Sequence, residues 1–219
     1  NRGAIFGGEG NPITVGRLLG LLIGLHGGEA GEFENQVFST IMKIRPPLGP
    51  LGVEFYAEVG MDDTAGAISD VPGIVAGVDV GVVPGLPALS LAVEHTDFPH
   101  NCCNNTIWYR NGFFRGSWGD EGRLFAHPLG GHGREWLAHT RIDLPRHGLT
   151  LRTQAFTRDR GNENLFAPER EGRSRGGSAT LEYSHRSGIA LRADADVERG
   201  DTWRSHRAAL LLSYAFVRR

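Results

Sequence analysis

The stretch Ile189-Ala190-Leu191-Arg192-Ala193-Asp194-Ala195-Asp196-Val197-Glu198 decides the fold. Ile189, Leu191, Ala193, Ala195 and Val197 alternate with Arg192, Asp194, Asp196 and Glu198, so an extended chain there has one apolar and one ionisable face. A helix would repeat its apolar positions every three or four residues, and this segment does not. The same split recurs at 149–158, where Leu149, Leu151 and Ala155 oppose Thr150, Arg152, Gln154 and Arg158. It recurs again at 53–62, with Val53, Phe55, Ala57, Val59 and Met61 against Glu54, Tyr56, Glu58 and Asp62. Ala179, Leu181 and Tyr183 stand likewise against Thr180, Glu182 and Ser184. Working backwards from the C-terminus, strands are expected near 205–217, 188–199, 177–187, 149–160, 136–145, 87–98, 73–83, 53–62 and 36–45. Alternation of this kind suits a soluble barrel with apolar residues inside and a membrane barrel with apolar residues outside.

The connections separate the two. Short ones at Arg186-Ser187-Gly188, Pro145-Arg146-His147-Gly148, 83–87 and 45–52 are rich in Pro and Gly, and they alternate with longer ones at 62–73, 98–135, 160–176 and 199–205. Bacterial outer-membrane barrels have short periplasmic turns and long outer loops, so the expected class is all-β, an antiparallel transmembrane β-barrel. The alternation holds only if 98–135 makes no net crossing, which makes it one large outer or lumen-filling loop. Residues 1–35 are expected to form a loop and short helical segment associated with the barrel strands of 36–219. The final segment, Arg207 to Phe216, places Leu210, Leu212, Tyr214 and Phe216 on one face, and Val217, Arg218 and Arg219 follow it. Nine strands is an odd number, whereas single-chain bacterial barrels use even ones. The portion should therefore not close alone, because an unpaired strand edge in lipid leaves backbone groups without partners.

Composition narrows the class further. The chain has 219 residues, of which 32 are Gly, and 22% are charged. Its longest apolar run, Leu18 to Leu25, is broken by Gly20 and Gly24 and falls short of the ~20 residues a spanning helix needs. Net charge is −2, and among 23 basic residues only Lys43 is a lysine, so there is no global basic field for nucleic acid. Cys102 and Cys103 are adjacent and give no disulfide framework. The chain opens at Asn1 without a signal peptide, which points to an export signal upstream.

Several short motifs carry a family resemblance. They are Gly7-Gly8-Glu9-Gly10, Asn35 before a strand ending in Arg45-Pro46-Pro47, Phe55-Tyr56-Ala57-Glu58 before Asp62-Asp63, Glu94-His95-Thr96-Asp97, then Tyr109, Gly112, Gly116 and His127-Pro128-Leu129-Gly130. In order and spacing the set resembles the Wzi-type capsule assembly proteins over nearly the whole chain. The resemblance implies an outer-membrane barrel of about eighteen strands, of which this chain would be the C-terminal portion. It also implies attachment of exported, capsular polysaccharide to the cell surface without chemistry on it, with outer-membrane lipid and an N-terminal barrel half as partners.

The long loop supplies the candidate glycan-binding residues. Trp108, Tyr109, Phe113, Phe114 and Trp118, with Phe125, are interleaved with Arg110, Arg115, Arg123 and Arg134, and His127 lies near its end. Aromatic rings suit the apolar faces of sugars, and Arg forks suit their acidic groups. The same residues could instead pack the loop as a plug, and both readings stand. The polar strand faces, with Arg152, Glu182, Arg192, Asp194 and Asp196, are expected to line the lumen as ion pairs or, alternatively, as the selectivity element of a passive channel. Glu94, His95, Asp97, His100, His127, His132 and His139 have metal-ligand chemistry but not the intervals of a compact site, so neither metal nor cofactor is expected. Glu94 and Asp97, three apart on a strand, face opposite ways, which argues against a hydrolase built on Glu94, His95 and Asp97. No nucleophile elbow, Walker loop or dinucleotide fingerprint is present, and no catalytic residue is assigned.

Overall fold

The computed structural model describes residues 2–6, 14–16, 19, 34–62, 72–99, 119–120, 123–124, 127–162 and 168–215. Its strands are β1 Arg2–Phe6, β2 Glu34–Ile44, β3 Val53–Asp62, β4 Gly73–Val80, β5 Leu89–Phe98, β6 Gly119–Asp120, β7 Arg123–Leu124, β8 Gly133–Leu144, β9 Leu149–Arg160, β10 Gly172–Ser184, β11 Ile189–Gly200 and β12 Arg204–Tyr214. Ten of them form one antiparallel sheet in the order β1-β2-β3-β4-β5-β8-β9-β10-β11-β12, and β6 and β7 make a separate two-stranded ribbon. Every neighbour in the sheet is the next sheet strand in sequence, the topology of an up-and-down barrel wall. β1 and β12 stand at opposite ends of the order, and no pairing joins them among the described residues.

All nine strands expected from alternation are present. β1, in a stretch expected to be loop and short helix, makes ten. The connection 99–132 leads from β5 into β8, and these two pair directly from Leu89↔Ile142 to Phe98↔Gly133, so its described part adds no strand to the sheet. Several expected boundaries move: β8 begins at Gly133, not near 136, and β10 at Gly172, not near 177, so the expected long loop at 160–176 shortens as the β9–β10 ladder runs up to Arg160↔Gly172. The β11–β12 ladder continues to Arg199↔Arg204, which shortens the expected long loop at 199–205 to the turn Asp201–Trp203, closed by Gly200 N–H donating to the Trp203 carbonyl at 3.1 Å. At the opposite end, the turn Pro145–His147 closes on Gly148 at φ 63°, a left-handed conformation in which a Cβ would run into the Ser184 carbonyl.

Parity assigns the faces. Leu151↔Leu181, Leu181↔Ala193 and Ala193↔Leu210 are direct partners, as are Tyr183↔Leu191 and Leu191↔Leu212, so the apolar sets of β9 to β12 share one face. Phe55↔Val78 and Val78↔Val93 continue it across β3 to β5, and Val93↔Ala138 carries it into β8. This face is open: Leu210 is 72% exposed, Leu212 70% and Trp136 57%. Among the described residues the buried set is mostly polar, with Thr96 at 1%, Glu135 at 2%, Arg160 at 3%, Ser174 at 7% and Glu198 at 9%, beside a few apolar residues, Val53, Ala92, Phe98 and Leu129. A water-soluble fold would reverse that assignment. A wall whose Leu and Val side meets hydrocarbon and whose ionisable side faces inward accounts for it. No helix among the described residues is long and apolar enough to cross a membrane.

Candidate functional site

The buried polar groups gather where the longer connections lie, at the end of β5, the start of β8, the end of β9, the start of β10 and the end of β11. Thr96, Glu135, Arg158 and Ser174 are successive cross-strand partners and form one row on the inner face. Glu198 and Arg160 flank that row. Arg158 Nε donates to Glu135, and its Nη1 lies 3.4 Å from Glu198 Oε2. Arg160 Nη1 donates to Glu198 Oε1 at 2.8 Å and to Ser174 Oγ at 3.2 Å, while the Ser174 hydroxyl donates to Glu198 Oε1 at 2.8 Å. Two carboxylates thus hold two guanidiniums in a nearly closed network, the arrangement that makes a buried ion cluster tolerable.

An aromatic flank adjoins it. Arg170 reaches within 3.9 Å of Glu198, and the Arg170 and Arg160 guanidiniums lie 5.2 and 5.9 Å from the centre of the Trp203 ring. Arg158 packs over Phe156 at 3.7 Å. Arg160 Nε and Trp203 Nε1 are buried donors without a hydrogen-bond partner among the described residues.

The segment His127-Pro128-Leu129-Gly130 folds against the inner face above this cluster. Leu129 is fully buried, and the His127 ring meets Phe98 edge-on at 5.4 Å. Leu129 N–H donates to His127 Nδ1 at 3.2 Å, which places the ring proton on Nε2, 3.5 Å from Thr96 Oγ1 and 3.7 Å from Glu135 Oε1. Burial lowers the imidazole pKa from its ordinary value of 6.5, and the carboxylates of Glu135 and Glu94 only partly oppose this. The contact with Glu135 is therefore a neutral hydrogen-bonding approach and not an ion pair. The docked state binds fewer protons than the released segment, so docking is fully favoured above about pH 6.5 and weakens as pH falls through that value. Amide exchange at Leu129 should accelerate on acidification, and His127→Gln should flatten that dependence; a wild-type exchange rate constant from pH 8 to pH 5 after correction for intrinsic chemistry would contradict it.

The expected lumen residues lie lower on the same face. Arg152 Nη1 is 2.7 Å from Glu182, Arg192 is 3.8 Å from Glu182 and 2.8 Å from Asp194, Thr180 donates to Asp194 at 2.7 Å, and Arg207 meets Asp196 at 2.7 Å. Of these, Glu182 and Arg192 line a concavity of about 730 Å³ together with Arg141, Asp143 and Thr150. Arg134, grouped by sequence with the aromatic loop, stands on the outer face, 69% exposed and 3.0 Å from Asp97. Trp108, Tyr109, Arg110, Phe113, Phe114, Arg115 and Trp118 lie outside the described residues. Glu94 and Asp97 fall on opposite faces: Glu94 accepts from the Tyr56 hydroxyl at 2.6 Å on the inner side, while Asp97 is held by Arg134 on the outer one. They do not converge on a substrate. Among the described residues no group of three or more His, Cys, Asp or Glu is arranged to hold a metal.

The missed residues were Glu135, Arg160, Ser174, Arg170 and Trp203. Alternation had placed Arg158 and Glu198 on polar faces, but only strand pairing brings them together, since Arg158 and Glu198 are 40 residues apart.

An antiparallel meander with an apolar outer face, an ionisable inner face and buried ion pairs under its longer loops defines a membrane β-barrel wall. The model of the capsule assembly protein Wzi family matches residues 1–207. The chain belongs to that family of outer-membrane capsule assembly proteins. A comparison with curated proteins and with solved structures gives no match.

Proposed function

We propose that the protein binds capsular or other exported polysaccharide at the long-loop end of an outer-membrane barrel and attaches it to the cell surface without transforming it. The observation that carries this reading is the gathering of Arg158, Arg160 and Arg170 with Trp203 on the inner face at that end, where two buried N–H donors have no hydrogen-bond partner among the described residues. Guanidinium forks suit the carboxylates of acidic glycans, a Trp ring suits a sugar's apolar face, and free donors suit hydroxyls. The aromatic and Arg-rich residues Trp108, Tyr109, Arg110, Phe113, Phe114, Arg115 and Trp118 belong by sequence to the connection between β5 and β8, and His127, near the end of that connection, packs beside Thr96 and Glu135 of the cluster. Capsule retained on cells and capsule released to the medium measure the function. An Arg170→Ala/Trp203→Ala variant of the full-length protein, and separately a Trp108/Tyr109/Trp118 triple alanine variant, should move polysaccharide from cells to medium at unchanged barrel abundance; wild-type retention in both would reject the reading.

A second reading, a passive channel, is favoured by the concavity lined with Arg141, Asp143, Glu182 and Arg192 at the other end of the inner face. It predicts conductance in planar bilayers, and a silent bilayer removes it.

A further inference from the structure

We propose that the outer face of β10, β11 and β12 carries a docking row for phosphate-bearing lipid headgroups, formed by Arg175, Arg199 and Arg204. The inference rests on the apolar face meeting lipid and is independent of what the inner face binds. Arg175↔Arg199 and Arg199↔Arg204 are direct cross-strand partners, so three guanidiniums stand side by side on neighbouring strands. All three are exposed, and none has an ion pair among the described residues. Like charges directly opposite on adjacent strands, about 4.8 Å apart, are destabilising. The next row toward the loops is built differently. There Asp97, Arg134, Asp159 and Arg173 alternate in sign across four strands, with Asp97–Arg134 at 3.0 Å and Arg173–Asp159 at 3.6 Å. One row neutralises itself, and the other leaves a strip of positive charge whose counter-charge the described residues do not supply. Asp159 and Asp201 share a groove of about 440 Å³ with Arg173, Arg175 and Arg199, yet neither is paired to Arg175 or Arg199.

Position selects the occupant. From Ile189, the start of the apolar face on β11, to Arg199 is ten residues, which at about 3.3 Å rise and about 40° tilt gives a height of about 25 Å, that of a barrel's apolar band. Trp136 lies in the same row, through Trp136↔Thr157 and Thr157↔Arg175, at the level where barrels carry interfacial aromatics. Tyr214, 55% exposed beside Ile189, marks the other boundary. Directly beneath the arginines come Gly177, Val197 and His206, and below these a row of Ala179, Ala195 and Ala208, so an apolar surface that becomes low lies under the guanidiniums for an acyl chain. Guanidinium forks bind phosphate oxygens in bidentate fashion. A polysaccharide on the inner face would not reach this row.

The test uses the full-length protein in neutral detergent. Thermal unfolding is followed with bis-phosphorylated lipid A, dephosphorylated lipid A or inorganic phosphate added, and lipid phosphorus co-purifying with the protein is measured. Bis-phosphorylated lipid A should raise the wild-type midpoint more than either other addition. An Arg175→Gln/Arg199→Gln/Arg204→Gln variant should lose that difference and most of its co-purifying phosphorus, while Arg207→Gln, on the inner face against Asp196, should keep both. Equal shifts from all three additions, an undiminished response in the triple variant, or loss of polysaccharide binding there with the lipid response intact would overturn the proposal. Should the triple variant not fold, the comparison of additions on wild type decides alone. A chain that stays in solution without detergent would instead break the barrel reading itself.

Discussion

Glu198→Ala is expected to destabilise the protein by about 3–5 kcal/mol, the cost of breaking a buried ion pair by removing one partner. Glu198 accepts from Arg160 and Ser174 and lies close to Arg158 and Arg170, so its loss strips the main counter-charge from Arg160, which is only 3% exposed. Arg158 keeps Glu135, whereas among the described residues Arg160 keeps the Ser174 hydroxyl and the Trp203 ring, neither of them a counter-charge. Glu198→Gln retains the shape and one acceptor and should fall between the two. Urea unfolding of the full-length protein in lipid vesicles measures the difference. An alanine variant within about 0.5 kcal/mol of wild type, the range of an ordinary surface change, would mean the cluster is wet and contributes little.

Leu210→Arg should cost about 2–4 kcal/mol, the penalty for a cation at the bilayer midplane on the lipid face of a barrel. Leu210 pairs with Ala193, close to midway between Ile189 and Arg199, and is 72% exposed. Ala209→Arg, one residue away, turns to the inner face directly opposite Asp194, where a cation meets a carboxylate and the change should stay within about 1 kcal/mol. The pair is read by the same unfolding experiment in vesicles. A tolerated Leu210→Arg beside a damaging Ala209→Arg would exchange the inside and the outside of the wall.

Much of this was legible in the residues. Period-two alternation located nine strands and put Leu191, Leu151 and Phe55 on one side with Arg152, Asp194 and Glu54 on the other, because each strand reports its own two faces. β1 was not legible: Ala4-Ile5-Phe6 is a short apolar run with no polar alternation, and its pairing with Glu34 to Phe38 depends on residues far along the chain. The ion cluster was hidden for a related reason, since only the alignment of four separate strands puts Glu135, Arg158, Ser174 and Glu198 together. Arg134 illustrates how narrow the margin is. As part of a loop it belonged with the aromatic residues, but β8 begins at Gly133, and one residue of parity sends Arg134 outward while Glu135 turns in.

The lower charge pairs do more than fill the inner face: they index the strands against one another. Leu and Ala alternation fixes only odd against even, and a two-residue slide of β11 along β10 would leave every apolar side chain on its own face. In the native frame Glu182 stands opposite Arg192 and Thr180 opposite Asp194. One such slide sets Glu182 against Asp194, carboxylate on carboxylate, and the other parts Glu182 from its arginine and leaves it facing Ala190. Because greasy contacts with lipid are interchangeable, these few polar matches act as the teeth that stop the hairpin from seating one notch away, and they do so from the side that lipid never touches.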